Sequence, residues 1–125
     1  MIIPPAVCAE LLAWHVELPA WIEVITTSDV ARVQRYRQSV HAGEAEAICL
    51  AAEMKCDWLL LDDGDGRRLA RSEGLPVLGL MGVLLLAKKQ GLIPAVRTLM
   101  DRLRDQAGFF LTEAVRQEVL RLAGE

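Results

Sequence analysis

Two adjacent carboxylates, Asp62 and Asp63, come directly after an apolar run and open a glycine-rich turn with the sequence DDGDG. The apolar run, Trp58 to Leu61, lies between a charged residue and that turn, a pattern typical of a strand buried in a parallel sheet. Ligands of open α/β sheets bind at the carboxyl ends of such strands. The sequence therefore predicts a ligand site at these aspartates. Ordinary turn residues are the alternative, because Asp and Gly dominate turns.

A second acidic position lies at the start of the predicted helix AGEAEAICLAAEMK, residues 42–55. Steps of four residues place Glu44 on the apolar stripe of Ile48 and Ala52, whereas Glu46 lies about 200° round the helix, toward solvent. A carboxylate on the apolar face needs a partner, and the first helical turn offers free N–H groups and a favourable dipole. Glu44 is therefore either a site residue or a first-turn glutamate that stabilises its own helix.

These acidic positions could face one crevice, because Glu10 lies on the first predicted helix, Glu44 at a helix start and the aspartates at a strand end. Several carboxylates in one crevice repel one another unless a divalent cation neutralises them. Carboxylate oxygens suit Mg²⁺ or Mn²⁺, hard ions that retain water and bind substrate phosphates. The predicted chemistry is metal-assisted hydrolysis of a phosphodiester, in which the metal generates the nucleophile and stabilises developing charge.

Other uses of the aspartates can be tested against the sequence. A calcium loop that begins at Asp63 would need acidic ligands where Arg67 and Gly74 stand, which excludes an EF-hand. The stretch LLLDDGDG resembles the opening motif of haloacid-dehalogenase phosphatases, but that family needs a Thr or Val after the motif and a longer chain beyond it. The glycines lack the spacing and the lysine of a phosphate-binding loop. A receiver-like or phosphatase-like domain, with Asp62 or Asp63 as phosphoryl acceptor, is a further hypothesis.

The predicted elements alternate between strands and helices, which is typical of an α/β fold with right-handed crossovers. We expect strands at 1–3, 21–27, 58–61 and 75–80, and helices from Pro4-Pro5, after Ser28 and Asp29, over 42–55, 67–73 and 82–91, and from Pro94 and Thr112. A chain of 125 residues, 53% of them hydrophobic, is expected to be one domain, 1–125, with an aliphatic core.

The charge, the cysteine content and the hydropathy of the chain limit the classes of function that it could have. The net charge of −3 and a pI near 5.4 give no global electrostatic case for nucleic acid, so any polyanion site has to be local. Three cysteines without a close CxxC pair predict reduced core thiols. The longest uncharged run, residues 75–87, is shorter than the roughly 20 apolar residues of a membrane span, and no secretory signal is visible. A cytoplasmic protein with no membrane partner is expected.

Three stretches of the chain resemble, in order and spacing, the PIN-domain-like proteins of bacteria and archaea, many of which are described as toxin-like ribonucleases. The stretches are IPPAVCAEL, GEAEAICLAAE and LLLDDGDGRRLARSEGLPVLGLMGVLLLAKKQGLI, and they cover most of the chain. The resemblance implies a three-layer α/β fold with a short, mostly parallel sheet flanked by helices. It implies an acidic catalytic cluster of Glu10, Glu44 and one or both of Asp62 and Asp63, with Glu44, Asp62 and Asp63 as ligands of Mg²⁺ or Mn²⁺.

The resemblance further implies single-stranded RNA as the substrate, and a small antitoxin protein as the partner in a toxin-antitoxin pair. Arg67, which matches the family's GR, and Arg68 follow the acidic turn and could bind a phosphate, with salt bridges to the aspartates as the alternative. The arginine-rich segment 32–37 with Tyr36 could also grip RNA, because guanidinium groups contact phosphates and aromatic rings stack on bases. A solvated helix face is the alternative there.

One departure from the family concerns its first strand. Family members usually begin with a further strand and an SD.SPLI-like segment, whose aspartate is a central metal ligand, and this sequence starts after that point at Met1. Because that strand is central in the sheet, we expect a gap between strand 1–3 and strand 58–61, closed by direct pairing, by a segment of a second copy or by dimerisation. We therefore expect a homo-oligomer and a ribonuclease of impaired activity, with a non-catalytic PIN-like binding or assembly module as the alternative.

Overall fold

A computed structural model describes all residues, Met1–Glu125. The chain forms four short strands and seven helices, which confirms the predicted α/β class. In chain order these elements are β1 (Ile2–Ile3), α1 (Pro5–Ala13), β2 (Glu23–Val24), α2 (Val30–Tyr36), α3 (Ala42–Met54), β3 (Leu59–Leu60), α4 (Gly64–Ser72), β4 (Val77–Leu78), α5 (Leu80–Lys89), α6 (Val96–Ala107) and α7 (Glu113–Leu122). None of the helices has the length and apolar character that crossing a bilayer would require.

The chain divides into two compact units, Met1–Leu78 and Gly79–Glu125. The first unit holds all four strands and the helices α1 to α4, and the second holds α5, α6 and α7. The assignment of the whole chain to one domain stays a prediction.

Two separate parallel sheets, each of two strands, lie in the first unit. β1 pairs with β2 in the register of Ile2 to Glu23, and β3 pairs with β4 in the register of Leu59 to Val77. No ladder joins β1 to β3. The gap expected between these two strands is therefore present, and direct pairing does not close it.

Strand β3 is shorter and less buried than predicted. Leu59 and Leu61 are buried, whereas Trp58 is 52% exposed and Leu60 is 43% exposed. The side chains of a strand alternate between its two faces, so only one face of β3 is covered. The prediction of a buried strand over Trp58 to Leu61 is wrong in this respect, because an apolar run does not reveal what packs on each face.

Helix α3 forms the centre of the first unit's core. Its residues Ala45, Ile48 and Cys49 have no exposed surface, and they pack with buried side chains of α2, β3 and α4. The spacing of these three residues makes one apolar stripe along the helix; of the predicted stripe of Ile48 and Ala52, Ile48 is buried and Ala52 is half-buried. Lys55, with a φ of 51°, ends the helix in the left-handed region.

Two glutamates of α3 accept hydrogen bonds from other elements. The Glu46 carboxylate accepts a 2.9 Å bond from the N–H of Ala6 in the first turn of α1, so the prediction that Glu46 faces solvent is wrong. Helix position alone could not show that α1 packs on this side of α3. Near the other end of α3, the Glu53 carboxylate accepts from the Thr27 hydroxyl at 2.6 Å and from the Asp29 N–H at 3.1 Å. The Thr27 hydroxyl bond is the main reason that the pKa of Glu53 is lowered.

Two helices begin where the sequence predicts, one after Asp29 and one at Thr112. The Asp29 side chain accepts a 3.0 Å bond from the N–H of Arg32 and begins α2. The Thr112 hydroxyl accepts a 3.3 Å bond from the N–H of Val115 and begins α7. Other boundaries differ from the prediction: β2 and β4 are shorter, and α4 and α5 begin earlier.

The second unit has its own small core between three helices, built from Val96, Met100, Val119 and Leu120. The carboxylate of Glu125 accepts a 2.7 Å bond from the N–H of Val96 and pairs with the Lys88 ammonium at 2.9 Å. These partners lower the pKa of Glu125 to about 2, the Val96 N–H contributing most. Glu125 therefore joins the chain beyond α7 to the start of α6 and the end of α5.

Candidate active site

A cleft of about 200 Å³ opens between α1, the first turns of α3 and strand β3. Two of its lining side chains are carboxylates, Glu10 from α1 and Glu44 from α3. The remaining lining is mostly apolar, and the full set is Val7, Glu10, His41, Gly43, Glu44, Ala47, Leu60 and Leu61. Two of the four residues that the sequence analysis placed in an acidic cluster therefore meet in one cleft.

Glu10 reaches the start of α3 because Gly43 has no side chain. A Cβ on Gly43 would lie 2.7 Å from Glu10 Oε1 and 3.2 Å from a methyl carbon of Val7. The carboxylate of Glu10 makes no hydrogen bond or ion pair in the structure, so it is available to a ligand in the cleft. Gly43 is buried, and its small size lets α1 approach α3 closely.

Glu44 occupies the first turn of α3 and accepts a 3.1 Å hydrogen bond from the backbone N–H of His41, which precedes that turn. Glu44 therefore does stabilise the start of its own helix, one of the two roles expected for it. The same side chain lies against the first turn of α4, because a Cβ on Gly66 would be 3.6 Å from the Glu44 carboxyl carbon. One oxygen of the Glu44 carboxylate therefore accepts a hydrogen bond at the start of α3. The Glu44 side chain lies between the cleft and α4.

The two aspartates lie at the start of α4 and are not among the residues that line the cleft. Asp63 Oδ2 accepts hydrogen bonds from the N–H groups of Asp65 at 2.9 Å and Gly66 at 3.1 Å, so the turn role considered for Asp63 is present. Asp62 is exposed at the carboxyl end of β3. Because Gly66 contacts Glu44 and donates to Asp63, the Glu44 and Asp63 carboxylates approach the same turn of α4.

The carboxylate oxygens of the cleft are the type of ligand that a hard divalent cation prefers. The cleft supplies only two such carboxylates, Glu10 and Glu44. Nowhere does the structure bring three or more His, Cys, Asp or Glu side chains together so that they could hold a metal ion. Mg²⁺ is often bound by one or two carboxylates together with water and substrate phosphates, and Glu10 and Glu44 could supply those two. The ligand set of Glu44, Asp62 and Asp63 that the resemblance implies stays a prediction.

The two arginines that follow the acidic turn differ in whether their side chains form an ion pair. Arg68 forms an ion pair with Asp65, three residues before it on α4. The Arg67 side chain makes no hydrogen bond or ion pair, so it is the freer of the two for a phosphate. Both remain predicted substrate-binding residues.

Tyr36 cannot stack on a nucleotide base as suggested by its place among arginines, because only 6% of it is exposed. It packs in the core of the first unit, and burial, with a smaller effect of the Glu73 carboxylate, raises its pKa. The burial of Tyr36 could not be predicted from its neighbours, since a tyrosine among arginines is also typical of RNA-contacting surfaces. Arg35 and Arg37, in contrast, are exposed.

Two glycines matter to the site and were not singled out from the sequence. Gly43 makes room for Glu10, whereas at Gly66 a Cβ would meet the Glu44 carboxyl carbon at 3.6 Å, an ordinary van der Waals distance. The available signal was that each glycine lies within a helix start, where Gly is otherwise unfavourable; the close approach of Glu10 explains it at Gly43.

Comparison with known families supports the resemblance. A family model described as a PIN domain matches residues 1–125. No curated protein and no solved structure matches the chain.

Proposed function

Because the chain belongs to the PIN-domain family, we propose that it is a metal-dependent ribonuclease that acts at the cleft of Glu10 and Glu44. The observation that carries this proposal is the meeting of two carboxylates from different helices in one cleft, beside the acidic start of α4. An acidic cleft repels a phosphodiester unless a cation lies between them. A nucleic-acid substrate and a bound Mg²⁺ or Mn²⁺ are therefore coupled requirements of the same site.

Glu10 and Glu44 would hold the cation, with Asp62 and Asp63 as further candidate ligands at the neighbouring turn. The ion, when bound, would lower the pKa of a water molecule and stabilise charge on the phosphate. Gly43 and the His41 N–H position the two glutamates, one by leaving space and the other by a hydrogen bond. Arg67 is free to contact a phosphate of single-stranded RNA, and Arg68 could do so if it left Asp65.

A toxin role, with a small antitoxin protein as partner, a cytoplasmic location and a homo-oligomer belong to this proposal as well. The uncovered strand β3 and the unpaired sheets support association with another chain, since open edges offer backbone groups that need partners.

A second candidate is a non-catalytic PIN-like binding or assembly module. It is favoured by one observation, that no three acidic or metal-binding side chains come together to hold an ion. In this case the cleft would keep its shape and its two carboxylates without turning over RNA.

The experiment that tests the proposal is cleavage of a labelled single-stranded RNA of mixed sequence by the full chain with Mn²⁺. Glu44→Gln is the informative variant, because glutamine can still accept the His41 N–H bond and keep the helix start. Glu17→Gln is the matched control, since Glu17 is exposed, makes no hydrogen bond or ion pair, and loses the same charge. We expect the control to cleave normally and Glu44→Gln to lose about a hundredfold in rate.

Absence of Mn²⁺-dependent cleavage by folded protein would contradict the ribonuclease proposal and favour the binding module. Equal cleavage by Glu44→Gln and the control would move the activity away from this cleft.

A further inference from the structure

Glu46 of α3 caps a helix that lies far from it in the chain. Its carboxylate accepts the 2.9 Å hydrogen bond from the N–H of Ala6, in the first turn of α1. The N–H groups of a first helical turn have no partner within their own helix. Pro4, which precedes α1, provides no side-chain cap. Glu46 therefore supplies the missing acceptor from α3, and the dipole of α1 favours a carboxylate at this end.

A second contact with α3 holds the next turn of α1. None of the residues of α1 is buried, so the position of this helix depends on a small number of contacts. A Cβ on Gly43 would lie 2.7 Å from Glu10 Oε1 and 3.2 Å from a methyl carbon of Val7, which shows how closely α1 passes over this glycine. Gly43 and Glu46 are three residues apart, and residues at that spacing share one face of a helix.

The same face of α3 relates Glu46 to the candidate site. At about 100° of rotation per residue, Glu46 lies about 60° to one side of Gly43, and Glu44 lies about 100° to the other side. The Glu44 carboxylate is held at the start of its own helix by the His41 N–H. Glu10 belongs to α1, so its separation from Glu44 depends on where α1 lies on α3.

We propose that Glu46 is a positioning residue for the candidate site: by binding the first turn of α1, it holds Glu10 and Glu44 at a separation at which both carboxylates can bind one cation. Without this bond the first turn of α1 would fray and the helix could tilt on α3, so the two carboxylates would face the same ion less often. Replacing a residue that orients metal ligands typically costs about 10- to 100-fold in metal affinity. The inference rests on the proposed cation site, but it does not require that the bound ion cleaves RNA.

The test measures Mn²⁺ binding to the full chain from the electron paramagnetic resonance signal of the free ion, at a temperature at which circular dichroism shows each variant to be folded. Glu46→Ala removes the acceptor of the Ala6 N–H, whereas Glu46→Gln keeps an acceptor oxygen and loses only the charge. We expect Glu46→Ala to bind Mn²⁺ about tenfold more weakly, and Glu46→Gln to stay within about twofold of the natural chain. Glu17→Gln, at an exposed position, is the control and should bind as the natural chain does.

Two further measurements separate positioning from charge and from folding. The Ala6 amide should exchange slowly with solvent in the natural chain and in Glu46→Gln, and rapidly in Glu46→Ala. Glu46→Asp keeps the charge but shortens the side chain by one methylene, so it should weaken Mn²⁺ binding where Glu46→Gln does not. This variant gives the same test if Glu46→Ala does not fold.

Unchanged Mn²⁺ affinity in both shortened variants, Glu46→Ala and Glu46→Asp, would overturn the proposal. Equal weakening in Glu46→Ala and Glu46→Gln would assign the effect to charge and would also overturn it, as would rapid exchange of the Ala6 amide in the natural chain. No binding of Mn²⁺ by the natural chain would contradict this inference and the ribonuclease proposal together. The expected pattern of Mn²⁺ binding without any RNA cleavage would support the positioning role and contradict the ribonuclease proposal alone.

Discussion

The carboxylate of Glu10 lies directly over Gly43, so closely that a Cβ at position 43 would come within 2.7 Å of Glu10 Oε1. A contact of this length requires one group to move. The flexible glutamate side chain would move more easily than the two packed helices. A side chain at position 43 would therefore displace the Glu10 carboxylate from its place beside the start of α3.

Gly43→Ala should reduce the proposed RNA cleavage without unfolding the protein. The added methyl would push the Glu10 carboxylate aside, and a misplaced ligand of about 1 Å can cost as much as a hundredfold in rate. Helix propensity favours alanine over glycine by about 0.5–1 kcal/mol, which offsets the tight 3.2 Å approach to Val7. Cleavage kinetics beside thermal unfolding check this. A variant that cleaves as fast as the natural chain would show that the position of Glu10 is irrelevant.

Two substitutions of Asp63 distinguish its role as a helix cap from a role in catalysis. Asp63→Asn should keep the hydrogen bonds to Asp65 and Gly66, because an amide oxygen also caps helices, whereas Asp63→Ala should lose about 1 kcal/mol of stability. Urea unfolding measures these two effects. If Asp63 also binds the cation, the Asn variant should lose RNA cleavage while its stability is kept. Full activity in Asp63→Asn would limit this residue to its structural role.

The hydroxyl of Thr27 should contribute measurably to folding. Thr27 is buried and donates a 2.6 Å hydrogen bond to the Glu53 carboxylate. Thr27→Val has nearly the same shape but removes that donor, and hydrogen bonds to charged groups are worth about 1.5–3 kcal/mol. Because Glu53 is exposed and keeps its bonds to Ser28 and Asp29, the loss should lie at the lower end. An unchanged urea midpoint would contradict this prediction.

Glu125 should make the stability of the protein sensitive to acid. Its pKa is lowered from 4.5 to about 2 in the folded protein, so the unfolded chain takes up this proton first as pH falls. The stabilising contribution is therefore present above about pH 4.5 and is lost progressively toward pH 2. Glu125→Gln should flatten the fall of unfolding free energy across this range. The matched control is Glu113→Gln, which also removes one carboxylate from the second unit.

Local features of this protein were determined by the sequence itself. The apolar stripe of α3 predicted its helix, and Asp29 and Thr112 predicted where α2 and α7 begin, because caps and helical periodicity depend on neighbours within a few residues. Glu44, Asp62 and Asp63 were also recognisable, since Asp and Glu at strand ends and helix starts stand out in the chain, and Glu10 followed from the family resemblance. The family match over residues 1–125 agrees with the order and spacing of those motifs.

Only the tertiary structure decided how these pieces face one another. It brought Glu10 and Glu44 to one cleft, gave Glu46 the role of capping α1, and left Leu60 of β3 uncovered. Each of these outcomes depends on which surfaces of distant segments pack together. The periodicity of a single helix or strand specifies the faces it has, but the partner that covers each face is chosen by long-range packing.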